Sequence, residues 1–148
     1  FCCTGVLFNH ESPLRSKEFV TKKIIDTAIQ IKKNKKIKLR LGDVDIFRDW
    51  GWAPDYMNAI WLMMQKKKPT DLIIGSGKVH SIREFVNEVF KLLKLSKKNL
   101  IIGDKKFKRN LDIRGYKADI KLTKKILKWK PKLDLKKIIY KMANNELY

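Results

Sequence analysis

Short apolar runs alternate with segments of helical period along this whole sequence, and that alternation restricts the chain to an α/β fold. Residues 6–8, 37–41, 71–74 and 100–102 read as strands, the first extending over residues 1–8 as a buried strand. A helix is expected from Ser16, as N-cap, to about Lys33, with Phe19, Val20, Ile24, Ala28 and Ile31 at the 3–4 spacing of a buried face. A second begins at Pro54, carries Tyr56, Ile60, Met63 and Met64, and stops before Pro69. Ser81-Ile82-Arg83-Glu84 is a capping box opening a third, with Phe85, Val86, Val89, Leu92 and Leu93 inside. Residues 121–127, Trp129-Lys130-Pro131 and a helix from Asp134 to about Asn144 complete the chain. No internal repeat or low-complexity linker interrupts it, so residues 1–148 are expected to form a single α/β unit.

At 148 residues, 44% apolar and 34% charged, the chain is long enough to bury a core. Its uncharged apolar runs fall far short of the ~20 residues that span a bilayer, so no membrane partner is expected. Cys2 and Cys3 are adjacent, with neither a disulfide framework nor metal-ligand spacing, which favours a reducing, cytoplasmic setting. The sequence opens at Phe1 inside a strand, with no basic-then-apolar leader, and so reads as the later part of a longer polypeptide. Thirty-five Lys+Arg against 15 Asp+Glu give +20, which attracts polyanions. Of these cations 29 are lysines scattered through nearly every segment and 6 are arginines. Scattered lysine suits a solvated surface and argues against nucleic acid, whose phosphates and bases favour the arginine fork. A stand-alone basic nucleic-acid-binding module remains the alternative on charge alone.

Two polar clusters draw the eye. Asn9-His10-Glu11-Ser12-Pro13 reads as a turn just past the carboxyl end of the first strand, where open α/β sheets bind ligands. Phe47-Arg48-Asp49-Trp50-Gly51-Trp52 packs two tryptophans, an arginine and an acid into six residues. Taken alone, Arg48 is either an ion-pair partner of Asp49 or a ligand-directed cation. Lys23, four residues after Phe19, is either a snorkelling helix-edge lysine or a ligand contact. His10 is a turn histidine or a ligand contact, and Trp50, Trp52 and Trp129 serve packing.

These blocks, with Phe19-Val20-Thr21-Lys22-Lys23-Ile24, Leu41-Gly42-Asp43, Asp55-Tyr56 and Trp129-Lys130-Pro131, have a matching order and spacing elsewhere. They resemble the carboxyl-terminal half of GDP-mannose 4,6-dehydratases, members of the extended short-chain dehydrogenase/reductase superfamily. The resemblance implies the C-terminal part of a Rossmann-type α/β fold, mainly its substrate-binding region. It implies conversion of GDP-mannose to GDP-4-dehydro-6-deoxymannose and water with a tightly held NADP, on the route to GDP-fucose, by a homo-oligomer when full length. GDP-sugar contacts are implied at Asn9, Lys23, Arg48 and Arg109, with Asp112 as an acidic partner, and NADP contacts at His10 and Arg15. A related GDP-sugar epimerase or reductase would share the scaffold.

Family catalysis needs a Gly-rich turn, a Tyr-x-x-x-Lys pair and a nearby Thr and Glu, none of which this sequence contains. Tyr56, Tyr116 and Tyr140 are followed four residues on by Ile60, Ile120 and Asn144. The catalytic groups are therefore expected in an N-terminal cofactor-binding half upstream of Phe1, leaving this chain inactive by itself. Its first strand is expected to lack partner strands, an open edge that promotes aggregation. The sequence also departs from the family pattern. Leu14 replaces the first arginine of a pair, Trp52 a histidine, Pro54 a lysine, Asn110 a proline, Asp112 a glutamate, and Lys128 a glycine.

Overall fold

Strands in this protein find their partners far along the sequence. The computed structural model describes residues 1–104 and 113–147. In it β1 (Gly5–Leu7) pairs in parallel with β6 (Leu72–Ile74), and β2 (Asn9–Glu11) with β5 (Trp50–Trp52). A third parallel pair joins β3 (Leu39–Leu41) to β8 (Leu100–Ile102), while β4 (Phe47–Arg48) and β7 (His80–Ser81) are antiparallel. Parallel pairing requires long crossovers, and helices supply them. Helix α1 (Val20–Lys33) follows β2, α2 (Ala53–Met64) follows β5, and α3 (Ile82–Leu92) follows β7. Helices α4 (Lys121–Leu127) and α5 (Leu135–Ala143) come last.

Two apolar clusters hold these elements. The larger joins Ile24, Ile25 and Ala28 of α1 to Phe85 and Val89 of α3 and Ile138 and Ile139 of α5, with Trp50 and Trp52 of β5. Each large apolar side chain so buried contributes roughly 1.5–3 kcal/mol. The smaller cluster sets Tyr56, Ala59 and Met63 of α2 against Leu72 and Ile74 of β6, Leu127 and Trp129. Trp129 Nε1 donates to the Asp55 carbonyl at 3.1 Å, and the Asp55 carboxylate accepts from the Lys132 amide at 2.8 Å. These bonds tie the chain after α4 to the first turn of α2.

The Ser81–Glu84 capping box and the position of Pro54 in the first turn of α2 are as the sequence indicates. Other expectations need correction. Helix α1 starts at Val20 with Phe19 at its N-cap, because Ser16 closes a local turn instead. The Ser16 carbonyl accepts from the Phe19 amide at 3.1 Å and its hydroxyl from the Glu18 amide at 3.5 Å. Strand β1 is shorter than residues 1–8, with Phe1 and Val6 exposed. It also has the partner the sequence reading denied it: Gly5 lies opposite Leu72 and Leu7 opposite Ile74. Met64 and Leu92 face solvent, Met64 because one residue past buried Met63 turns a side chain ~100° around the helix. Asn9–Glu11 is a strand, not a turn, since its polar residues pair with a segment about forty positions away.

Candidate functional site

Asn9, His10 and Glu11 follow β1 almost without interruption and run beside Trp50, Gly51 and Trp52, partner by partner. The two polar clusters of the sequence thus lie side by side at the carboxyl end of the β1–β6 pair, where the Phe8 amide donates to the Ile74 carbonyl at 2.9 Å. Close approach demands glycine at position 51, because a Cβ there would fall on the Tyr56 ring. Tyr56 is wholly buried, edge-on to Trp129 and with its ring centroid 5.6 Å from that of His10. Asn9 is half-buried, and among the described residues its side-chain amide makes no hydrogen bond.

Asp49 is a buried knot between segments. Its carboxylate accepts from the amides of Ser76 at 2.8 Å, Gly77 at 2.9 Å and Ala118 at 3.1 Å. The local ion-pair reading of Arg48 therefore fails: among the described residues no Arg48–Asp49 pair forms. Arg48 Nη1 instead donates to the Phe47 and Ile113 carbonyls, each at 2.8 Å, with its Cζ 5.6 Å from the Tyr116 ring centroid. That arrangement fixes a positive charge on β4, two residues before the strand that pairs with Asn9.

Glu11 is 1% exposed and accepts from Thr21 Oγ1 at 2.6 Å. Arg15 Nε lies 3.7 Å from the same carboxylate oxygen, and Arg15 Cζ sits 3.5 Å from the Phe19 ring centroid. Burial pushes the Glu11 carboxyl up to about 7, against the smaller opposing pulls of the Thr21 bond and the Arg15 charge. Burial foremost, then the charges of Asp49 and Asp55, holds the Tyr56 phenol well above its ordinary range. Among the described residues its buried hydroxyl makes no well-formed hydrogen bond. His10 Nδ1 lies 3.0 Å from the Phe8 carbonyl, which only accepts, so that nitrogen donates and Nε2 is left for another partner.

Lys23 belongs to a second location. Its Nζ donates to the Arg40 carbonyl at 3.0 Å, at the β3–β8 pair, where Arg40 Nη1 lies 3.4 Å from Asp104 Oδ2. Partial burial lowers its pKa, and the nearby Asp104 charge offsets part of that fall. An open groove of about 450 Å³ runs along α1 past Lys17, Lys22, Lys23, Asp26 and Gln30, and none of its lining residues comes from β2 or β5. Arg109 and Asp112 lie outside the described residues. The structure thus gathers Asn9, His10 and Arg15 around β2, holds Arg48 near the neighbouring strand, and leaves Lys23 on the far side of α1's start. Sequence reasoning passed over Glu11, Thr21, Asp49 and Tyr56, which the structure places on or against β2 and β5. Only an acid inside each polar cluster hinted at Glu11 and Asp49. Among the described residues no group of three His, Cys, Asp or Glu could hold a metal, and no helix is long and apolar enough to cross a membrane.

Parallel strands joined by helices, with polar and charged groups at the strands' carboxyl ends, make this a Rossmann-type α/β fold. RMD from Pseudomonas aeruginosa complexed with NADPH matches with a TM-score of 0.84 at 17% identity, over 97% of this chain and 47% of that one. The dTDP-glucose 4,6-dehydratase of Bacillus anthracis in complex with NAD matches at 0.83 and 20% identity, over 97% and 43%. A family model described as GDP-mannose 4,6 dehydratase matches residues 1–142. GDP-mannose 4,6 dehydratase 1 of Arabidopsis thaliana is 38% identical over 147 residues, covering 99% of this chain and 41% of the relative. The chain belongs to the GDP-mannose 4,6-dehydratase family, and it spans less than half the length of that relative.

Proposed function

We propose that this chain supplies the GDP-sugar-binding, carboxyl-terminal part of an NADP-dependent GDP-mannose 4,6-dehydratase, a lyase yielding GDP-4-dehydro-6-deoxymannose and water. The observation that carries this reading is the β2–β5 pairing. It sets Asn9 beside Trp50, and so near Arg48, from blocks forty residues apart that both resemble the family. Asn9 gives and takes hydrogen bonds from one amide, which suits a sugar or nucleoside edge. Arg48 supplies fixed positive charge for a pyrophosphate; the resemblance adds Arg109 and Asp112, outside the described residues, and Lys23, which sits apart at the β3–β8 pair.

The residues after β2 fit an anionic cofactor. Arg15 carries a guanidinium stacked on Phe19 with a buried Nε that makes no hydrogen bond among the described residues, a donor set suited to phosphate. In this reading Arg15 and His10 hold the NADP, His10 through Nε2. When bound, the cofactor supplies a hydride acceptor that later returns the hydride. Proton transfer falls to groups in the part of the family's length that this chain does not span. The free Cys2 and Cys3 support a cytoplasmic setting.

Calorimetric titration of GDP-mannose into the full-length protein tests the assignment. Asn9→Ala and Arg48→Ala are each expected to weaken binding about tenfold or more, the loss of a charge-assisted or buried hydrogen bond. Wild-type affinity in both variants would overturn it.

A further inference from the structure

Glu11 is a carboxylate buried at a strand end where an apolar residue would pack at lower cost. It is anchored rather than solvated: Thr21, in the first turn of α1, donates to Oε2 at 2.6 Å. The same oxygen faces Arg15 Nε at 3.7 Å, beyond hydrogen-bond range, and among the described residues that buried Nε makes no hydrogen bond. Phe19 closes the other side, 3.5 Å from Arg15 Cζ. Ser12 secures the base of the loop, its carbonyl accepting from the Arg15 amide at 3.1 Å. The guanidinium is therefore held on one face by an aromatic ring and on one edge by a fixed charge, with its nearest hydrogen bond still to be closed.

We propose that Glu11 is a positioning residue for Arg15: its carboxylate, pinned by Thr21, steers the guanidinium over Phe19 so that its outer edge receives an anionic phosphate of the cofactor. The proposal rests on the reading of Arg15 as an NADP contact. A shift of about 0.5 Å brings Nε within bonding distance of Oε2, so the carboxylate can hold the inner edge while the outer edge takes the anion. An uncharged amide at position 11 keeps the Thr21 bond but loses the attraction that orients Arg15.

Among the described residues, the titratable groups facing Glu11 are Arg15, from the loop after β2, and Tyr56, from α2, whose phenol its charge helps keep protonated. Trp52, across the strand pair, carries no charge. Because burial lifts the Glu11 carboxyl to about 7, the steering charge is present above that pH and lost below it. A residue that only filled space would show no such dependence.

NADPH titrations followed by cofactor fluorescence, on the intact protein from pH 6 to pH 8.5, separate the possibilities. Glu11→Gln is expected to bind NADPH about tenfold more weakly than wild type at the alkaline end, with the gap closing toward pH 6. Arg15→Ala is expected to be weakened at every pH. Arg15→Ala weakened while Glu11→Gln matches or exceeds wild type overturns the positioning role and leaves the cofactor reading standing. Arg15→Ala equal to wild type overturns both. Should Glu11→Gln fail to fold, Thr21→Val removes the anchoring hydroxyl at nearly constant shape. Weakened NADPH binding by that variant supports the proposal, and unchanged binding rejects it.

Discussion

Lys128 occupies a left-handed backbone conformation, with φ at 50°, just after α4. That is the position where the family pattern carries glycine, and the geometry explains the pattern: a side chain there costs about 1–2 kcal/mol. Lys128→Gly should raise stability by about 1 kcal/mol, visible as a higher urea midpoint at unchanged slope. Gly51→Ala should do the reverse, losing about 1–3 kcal/mol as the Tyr56 ring is forced aside. Glu11 gives a pH signature. Its folded pKa lies above its unfolded value, so the native state binds the extra proton, and the favourable contribution is fully present below about 4.5 and lost as pH rises through about 7. Denaturant titrations at pH 5 and pH 8 should show wild type losing on the order of 3 kcal/mol relative to Glu11→Gln, with equal pH dependence in the two proteins counting against it.

Elements whose signals are local were legible in the sequence. The Ser81–Glu84 capping box forms with both reciprocal bonds, the Glu84 amide donating to Ser81 Oγ at 3.0 Å and the Ser81 amide to Glu84 Oε2 at 3.1 Å. Ser81→Ala should cost about 1 kcal/mol, read from the thermal melt. Strand β2 was hidden for the opposite reason. Asn9, His10 and Glu11 have turn-like chemistry, and only their distant partners Trp50, Gly51 and Trp52 make a strand of them. The candidate site divides on the same terms. Asn9, His10, Arg15 and Arg48 sit in blocks that resemble a family, whereas Glu11 and Asp49 became visible only through burial and through bonds to Thr21, Ser76, Gly77 and Ala118. Ser16 has the chemistry of an N-cap but spends it on a turn, so composition alone misplaced the start of α1.

Across the whole molecule, +20 and a site containing buried acids are both present. The lysines are spread over the surface, whereas the described cations proposed for binding are three: Arg48 on β4, Arg15 after β2 and Lys23 on α1. Duplex DNA at roughly 0.15 M salt, where the Debye length is about 8 Å, should therefore leave GDP-mannose affinity of the full-length protein unchanged. Effective competition by DNA would favour the basic-module alternative. The long-range strand pairings also bear on how the chain is made. Thr4 and Asp71, which flank the β1–β6 pair, are 67 positions apart. At about 5–20 residues per second, a ribosome needs roughly 3–13 s to deliver β6 after β1 has been synthesised. Throughout that interval the apolar Val6, Leu7 and Phe8 lack the β6 partner, which leaves them open to a holdase or a neighbouring nascent chain. The tempo of translation through α1 and α2 is therefore a control point for how much of the polypeptide matures.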